Sequence, residues 1–222
     1  MNAAATAVLR SRSSLMSADT PVVFIVDDDI SVRESLAALV QHAGWRPEVF
    51  ASGTEFLARP RSSAPACLVL DVTLPDLNGL DLQKRIAGDK LPIIFITGHG
   101  DIPTTVRAMK AGAVEFLTKP LTAEALLGSI RGALEASTVV LQEQTSLQAL
   151  RERHAAMSDR EREVMALVVK GQLNKQVGGA LGISEITVKA HRGRMMRKMR
   201  AKSLPELVKM AARLGLETAG ED

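Results

Sequence analysis

Residues 22–29 read VVFIVDDD, five consecutive apolar residues followed by three aspartates. An apolar run of this length, without polar alternation, is typical of a strand that is buried on both faces. Sheets covered on both faces are usually parallel, because their crossover connections place helices on either side. The three aspartates then fall at the carboxyl end of the strand, which is where sites form in such folds.

Helical patterns separate four further strand-like segments, which lie at residues 47–50, 67–70, 93–96 and 114–117. The helices between them are expected at residues 31–43, 54–57, 80–86 and 106–113. A last helix opens near Thr122. This alternation with short connections predicts an α/β domain with a doubly wound, five-stranded parallel sheet. We assign residues 21–136 to this domain and residues 1–20 to a disordered tail.

Chemically active side chains follow four of the predicted strands, and they are Asp27, Asp28, Asp71, Thr97 and Lys119. Grouped carboxylates are hard oxygen ligands that suit Mg²⁺ better than a transition metal. A cation, an ammonium and a hydroxyl together can hold the three oxygens of a phosphoryl group that a carboxylate attacks. The constellation therefore predicts phosphoryl transfer onto an aspartate.

These motifs resemble the receiver domains of two-component response regulators, whose fold is flavodoxin-like. The resemblance covers residues 21–136. It is carried by the aspartates after the first strand, Asp71-x-x-Leu-Pro, Gly79, Thr97 and Lys119-Pro120. Residues 96–103 and 108–113 are similar to the FixJ branch in particular.

The resemblance implies that Asp71 accepts a phosphoryl group from a sensor histidine kinase. It further implies a Mg²⁺ ion held by Asp28, Asp71 and the backbone carbonyl of Thr73, with Asp27 contributing through water. Asp29, the third member of the triplet, falls outside the pocket by its register in the strand.

The resemblance also implies a switch, in which Thr97 moves toward the phosphoryl group and Phe116 fills the vacated space. Phe116 lies three residues before Lys119, and the alternative is an ordinary core aromatic. Thr73 and His99 occupy the positions at which the family tunes autodephosphorylation.

Charge is divided unevenly along the chain. Residues 1–150 carry 13 Lys/Arg and 16 Asp/Glu, a net of −3, whereas residues 151–222 carry 15 and 9, a net of +6. A basic C-terminal third beside an acidic N-terminal part is typical of a nucleic-acid-binding module joined to another domain, although chance alone can produce such asymmetry.

We assign residues 155–222 to a small all-α domain of four helices. Ser158 and Glu161 match a capping box, Asn174 is expected to cap the second helix, and Ser184 the third. The fourth is expected from Pro205 to Leu214. Two short helices joined by a Gly-containing turn, the second strongly basic, indicate a helix-turn-helix. Residues 137–154 form the linker, for which a long helix and a flexible connector are both compatible with the sequence.

The third of these helices has two distinct faces at 100° per residue. An inward stripe is predicted for Val188, His191, Met195 and Met199. The opposite face holds small side chains flanked by cations, which are Lys189, Ala190, Gly193, Arg194 and Arg197. Such a face allows close approach to the major groove of DNA.

The whole segment 155–216 resembles the LuxR-type DNA-binding domain. The motifs are Asp159-Arg160-Glu161-x-Glu163-Val164, Gly171-x-x-Asn174-Lys175, Leu181-Gly182-Ile183-Ser184 and Thr187-Val188-Lys189-x-His191. The resemblance implies base-edge contacts by Lys189, Ala190 and Gly193, and phosphate contacts by Lys175, Thr187 and Arg197. Since Gly193 has no side chain, base discrimination is expected to rest on Lys189 and Arg194.

The chain departs from the family pattern at Gly178-Gly179, in the middle of the second helix of this domain. Each glycine costs up to about 1 kcal/mol relative to alanine in a helix interior. The pair predicts either close packing or a domain that is only marginally stable by itself.

Taken together, the sequence predicts a cytoplasmic, DNA-binding transcriptional regulator that is not an enzyme. Its single cysteine, Cys67, is expected to be a buried thiol, and no apolar stretch reaches the roughly 20 residues that span a bilayer. The expected partners are a sensor histidine kinase, double-stranded DNA, a second copy of the phosphorylated chain and RNA polymerase. Phosphorylation is expected to drive dimerisation, although in some relatives the unphosphorylated receiver masks the recognition helix instead.

Two other classes of function fit part of the pattern. An aspartate-nucleophile phosphatase of the haloacid-dehalogenase type needs a second aspartate two residues after the nucleophile, where this chain has Thr73. A phosphorylation-independent DNA-binding regulator with a vestigial receiver is the other alternative, and the complete set of pocket residues disfavours it.

Overall fold

The computed structural model of the protein describes residues 20–60, 62–98 and 100–216. The chain divides into two compact units, Met1–Leu141 and Gln142–Asp222. Nearly all of the predicted tail at 1–20 lies outside the described residues, as does His99. Within the described ranges, no helix is both long enough and apolar enough to cross a membrane.

The N-terminal unit alternates strands with helices in the predicted order. Its strands are β1 (Val22–Val26), β2 (Arg46–Phe50), β3 (Ala66–Asp71), β4 (Ile93–Thr97) and β5 (Glu115–Thr118). Its helices are α1 (Ile30–His42), α2 (Gly53–Leu57), α3 (Gly79–Arg85), α4 (Ile102–Lys110) and the start of α5 (Ala123–Ala155), with a short 3-10 turn at Ala87–Asp89.

The five strands form one parallel sheet in the order β2-β1-β3-β4-β5. The central strands β1, β3 and β4 are buried along their whole length, because helices cover both faces of the sheet. Successive β1 residues enter different cores: Phe24 packs with Phe56 and Phe95, and Ile25 packs with Val69. The predicted doubly wound sheet is confirmed.

Helix α5 is 33 residues long and passes without a break through the residues assigned to the linker. Its first turns lie on the sheet, where Leu126 and Ile130 are buried. The Ser137 hydroxyl accepts a hydrogen bond from the backbone N–H of Ala66 at 3.0 Å, which fixes the helix to the start of β3. Of the two alternatives for residues 137–154, the structure has the helix.

The C-terminal unit contains the end of α5 and four further helices, α6 (Asp159–Val169), α7 (Asn174–Leu181), α8 (Glu185–Met199) and α9 (Leu204–Arg213). The predicted capping box at Ser158 and Glu161 is present, and Ser184 caps α8. Their core is assembled from one stripe of each helix and includes Val164, Met165, Val177, Val188, Met195 and Leu207.

The prediction that Asn174 caps α7 is wrong. The N-cap is Leu173, whose backbone N–H donates to Gln176 at 2.7 Å. Asn174 is the first helical residue, and its side-chain oxygen accepts a hydrogen bond from Arg192 at 3.1 Å. The side chain therefore joins α7 to α8 and is not available to cap its own helix.

The two adjacent glycines of α7 lie in different surroundings. A Cβ placed on Gly178 would lie 2.7 Å from the carbonyl oxygen of Ile183, whereas one on Gly179 would meet no atom within 4 Å. Gly178 thus permits the close approach of α7 to the turn before α8, and Gly182 makes that turn with a positive φ of 66°. Close packing explains the first glycine of the pair but not the second.

Candidate functional site

Three charged side chains meet at the carboxyl edge of the sheet. Asp27 follows β1, Asp71 ends β3 and Lys119 follows β5, and the two carboxylates are buried. The Lys119 ammonium lies 2.7 Å from Asp27 Oδ2 and 2.6 Å from Asp71 Oδ2. The parallel sheet makes this cluster, because β1 and β3 are neighbours whose ends coincide.

A third carboxylate completes an acidic cluster. Ligand oxygens of Asp27, Asp28 and Asp71 all lie within 4.8 Å of one another, and Asp28 is exposed to solvent. Asp29 instead caps α1, accepting the N–H of Ser31 at 2.8 Å. A donor set of hard oxygens that is open on one side fits Mg²⁺, which retains several of its waters in proteins. The cluster agrees with the Mg²⁺ site that the resemblance to receiver domains implies.

The charges of the pocket do not cancel. Burial lowers the pKa of Lys119, but its hydrogen bonds to Asp27 and Asp71 outweigh that effect and hold the pKa above its ordinary value. The residue is therefore an ammonium at neutral pH. One ammonium beside three carboxylates leaves a local excess of negative charge, and a bound cation would offset it.

The residue assigned to phosphoryl acceptance is held in place through its second oxygen. The backbone N–H of Thr73 donates to Asp71 Oδ1 at 2.9 Å, while Lys119 donates to Oδ2. Gly79 packs directly behind the strand end, since a Cβ there would lie 2.6 Å from the Asp71 carbonyl oxygen. Asp71 is buried, and its side chain retains 9% of its solvent exposure.

The two residues assigned to the switch lie on neighbouring strands. Thr97 is the last residue of β4 and is buried, whereas Phe116 in β5 is half-buried. The Phe116 ring packs against Phe95, with 6.1 Å between the ring centroids. A half-buried ring beside the core fits both interpretations of this aromatic.

Two residues that hold the pocket were not identified from the sequence. Asp76 accepts hydrogen bonds from the N–H and hydroxyl of Thr54 at 2.8 and 2.7 Å, so that the loop after Asp71 is anchored to the start of α2. These bonds lower the pKa of Asp76. Arg33 donates to the Asp27 carbonyl oxygen at 2.6 Å. Asp76 and Thr54 are 22 residues apart, and no periodic signal joins such pairs.

Helix α8 has the two faces expected from its periodicity. Val188, Met195 and Met199 are fully buried and His191 is half-buried. The residues predicted on the opposite face are all exposed: Lys189, Ala190, Gly193, Arg194 and Arg197. The helix therefore presents a basic surface with small residues at its centre.

Lys175 and Thr187, which were assigned to phosphate contact, lie at the starts of α7 and α8. Lys175 is exposed. Thr187 is half-buried, its N–H donates to Ser184 Oγ at 3.2 Å, and the two hydroxyl oxygens are 2.8 Å apart. Both side chains are thus near helix N-termini, where anions bind readily.

One acid from another helix borders the basic surface. Glu161 of α6 is buried, and its carboxylate accepts a hydrogen bond from Lys198 at 2.6 Å and lies 3.7 Å from Arg194 Nε. The Lys198 bond, together with the N–H of Ser158, lowers the pKa of Glu161 to about 2. Glu185 lies 3.4 Å from Lys189. Arg194 therefore lies at the edge of the face beside an acid that the sequence pattern did not reveal.

Family models match both units. A response regulator receiver domain model covers residues 23–131, and the LuxR family model of bacterial regulatory proteins covers residues 155–211. The chain belongs to the response regulators of two-component systems that carry a LuxR-type DNA-binding domain. It is accordingly a two-component transcriptional regulator, and its family is one of transcription regulators and not of enzymes. The predicted family is confirmed.

Several curated proteins resemble the chain over most of its length. The response regulator protein TodT of Pseudomonas putida F1 is 45% identical over 201 residues, which is 90% of this chain and 88% of TodT. Nodulation protein W of Bradyrhizobium diazoefficiens is 47% identical over 88% of this chain and 87% of its own. The transcriptional regulatory protein FixJ of Rhizobium meliloti is 40% identical, over 85% and 94%.

Solved structures agree with this assignment. The response regulator StyR is similar with a TM-score of 0.79 and 43% identity, over 87% of this chain and 99% of StyR. Full-length FixJ from B. japonicum has a TM-score of 0.50 and 35% identity, over 89% and 98%. The receiver domain implies a sensor kinase as partner, and the LuxR-type domain implies DNA.

Proposed function

We propose that a sensor histidine kinase phosphorylates Asp71 and that this modification drives dimerisation and promoter binding. The observation that carries the proposal is the position of Asp71, beside an ammonium at 2.6 Å and within a cluster of carboxylates. A carboxylate attacks phosphorus poorly unless the charge of the transferring group is neutralised, and the pocket contains the means to do this.

In the proposed reaction, an O–P bond forms at Asp71 as the P–N bond to the donor histidine breaks. Asp28, Asp71 and the Thr73 carbonyl would hold Mg²⁺, with Asp27 acting through water, and the ion would neutralise phosphoryl oxygens. Lys119, already between Asp27 and Asp71, moves onto a phosphoryl oxygen as the acceptor oxygen of Asp71 becomes part of an acyl phosphate. The hydroxyl of Thr97 binds the remaining oxygen.

Phosphorylation of Asp71 changes the surface of the domain through residues at the ends of β4 and β5. Movement of Thr97 toward the phosphoryl group frees space that the half-buried Phe116 enters, and the surface around it changes shape. Two phosphorylated chains then associate and place their helix-turn-helix units on a two-fold DNA site. Release of a masked recognition helix is the alternative output, and RNA polymerase is a further candidate partner.

On DNA, α8 enters the major groove with Lys189, Ala190 and Gly193 toward base edges. Lys175, Thr187 and Arg197 contact phosphates. Base discrimination rests on Lys189 and Arg194, and Arg194 Nε also lies 3.7 Å from the Glu161 carboxylate. Charged hydrogen bonds to phosphate position the helix, whereas base-edge contacts and the sequence-dependent shape of the DNA give specificity.

The proposal is tested by incubating the full chain with acetyl phosphate and Mg²⁺ and measuring acyl-phosphate by intact mass and Phos-tag electrophoresis. Wild type is expected to gain one phosphoryl group, to dimerise and to bind promoter DNA more tightly. Asp71→Asn is expected to lose all three responses. Asp81→Asn is the matched control, since Asp81 lies on α3, where its carboxylate pairs with exposed Lys84 at 2.8 Å.

Two outcomes would overturn the proposal. Unchanged labelling in Asp71→Asn would place the modification elsewhere. Full DNA binding by wild type with no phosphoryl group at all would favour the alternative, a phosphorylation-independent regulator with a vestigial receiver.

A further inference from the structure

We infer that Ile186 is a base-reading residue, whose side chain packs against a thymine methyl group in the major groove. The inference rests on the proposed DNA binding by α8 and names one contact that determines its sequence preference. Ile186 is the second residue of α8 and its side chain is 80% exposed, so it is free to contact a ligand of this helix face.

Ile186 lies at the centre of the basic face. Positions around the helix can be given as angles from Lys189, at about 100° per residue. Gly193 then lies at about 40°, Ile186 at about 60° and Arg197 at about 80°, all on the same side. Val188, which is fully buried, points to the opposite side. The same face that carries the candidate DNA contacts therefore carries this isoleucine.

Ile186 is a large side chain on a helix face whose central residues are small. Ala190 is small, and a Cβ placed on Gly193 would meet no atom within 4 Å, so the middle of the helix surface is low. The first turn of a recognition helix lies nearest the base edges. Ile186 and Lys189 consequently project furthest toward the floor of the groove.

The charge around Ile186 identifies the occupant of this surface as duplex DNA. Exposed Lys189 and Arg197 share the helix face of Ile186, and exposed Lys175 lies at the start of α7. Cations distributed in this way match the phosphates on either side of a groove. The thymine methyl is the apolar group that bases display in the major groove. A protein partner with an apolar socket would not by itself need the flanking cations.

The test uses the full-length protein, treated with acetyl phosphate and Mg²⁺, and a duplex that it selects from a randomised library. Each thymine of that duplex is replaced in turn by deoxyuracil, which removes only the methyl group. One thymine per half-site is expected to weaken binding about fourfold when replaced, the equivalent of losing one buried methyl contact.

Ile186→Ala is expected to weaken binding of the thymine duplex by a similar factor and to show no further loss on the deoxyuracil duplex. Leu173→Ala is the matched control, because Leu173 is 70% exposed in the same unit but lies before α7 and outside the face. This variant is expected to keep the full methyl effect.

Independent, multiplicative losses from Ile186→Ala and from every deoxyuracil would overturn the inference while leaving DNA binding intact. Unchanged DNA affinity with reduced reporter transcription would also overturn it and would assign Ile186 to a protein partner. If the library yields no enriched duplex, the proposed DNA-binding function itself fails, so the two failures are distinguishable.

Discussion

The acidic pocket and the basic face of α8 are assembled in opposite ways. The pocket joins residues far apart in the chain, with 92 positions between Asp27 and Lys119 and 48 between Asp71 and Lys119. The face of α8 is contained in 15 consecutive residues. Charges in the pocket face each other in partial burial, whereas most charges of the helix face water. The pocket thus depends on the pairing of strands across the sheet, whereas the face depends on the periodicity of a single helix.

The difference predicts unequal sensitivity to the loss of one charge. We expect Lys119→Met to destabilise the N-terminal unit by about 2–3 kcal/mol in the absence of Mg²⁺, since it leaves buried carboxylates without a counter-charge. The figure is below that of a fully buried pair because the ammonium is a quarter exposed. Urea unfolding followed by the fluorescence of Trp45, the single tryptophan, measures it.

Two comparisons sharpen this measurement. Added Mg²⁺ is expected to reduce the difference in the free energy of unfolding between Lys119→Met and wild type, because the cation supplies the missing positive charge. Lys84→Met is the control, since Lys84 pairs with exposed Asp81 and its loss is expected to be small. Equal effects from the two substitutions would mean that the pocket charges are not coupled as the distances indicate.

Substitutions at the two adjacent glycines of α7 distinguish the effect of helix propensity from the effect of a tertiary contact. Gly178→Ala is expected to destabilise the C-terminal unit by about 1–3 kcal/mol, because the new Cβ meets the Ile183 carbonyl. Gly179→Ala is expected to stabilise it by about 0.5–1 kcal/mol, because it meets nothing. Hydrogen exchange of α7 and α8 amides in the full chain reports both. If both substitutions increased the stability of the C-terminal unit, the structure around Gly178 would have to accommodate the new Cβ without loss of free energy.

The expected contribution of Glu161 to stability depends on pH. Its pKa in the folded protein is lowered from 4.5 to about 2, so the ionised side chain stabilises the fold above the higher value. The advantage of wild type over Glu161→Gln is expected to be complete above about pH 4.5 and to disappear as the pH falls toward 2. Circular dichroism melts across this range measure the change. Glu163→Gln, on the exposed side of α6, is expected to show a much weaker trend. If the difference in melting temperature between wild type and Glu161→Gln were the same at all pH values, the charge of Glu161 would not be what stabilises the fold.

Much of the fold was predictable because its signals repeat locally. Unbroken apolar strands alternating with helices specify a parallel sheet, and strand ends in such a sheet share one edge. The positions of Asp27, Asp71 and Lys119 follow from that rule. The two faces of α8 follow from helical periodicity, and the buried Met195 agrees with it.

Other features depend on contacts between segments that no repeat connects. The anchoring of Asp76 on Thr54, the burial of Glu161 beneath Lys198 and the use of Asn174 by Arg192 each join separate elements. The sequence pattern of α7 could not distinguish Gly178 from Gly179, since only the neighbouring Ile183 carbonyl makes one of them necessary.

The sequence by itself therefore determined the class of fold, the edge of the sheet that carries the pocket and the face of the helix that carries the cations. Each of these follows from an unbroken apolar run, from the 3.6-residue period of a helix or from the position of a strand end. The tertiary structure decided which oxygen Lys119 contacts, which acid borders α8 and how far the last receiver helix continues. Those outcomes depend on packing between distant residues, and a linear pattern does not record that packing.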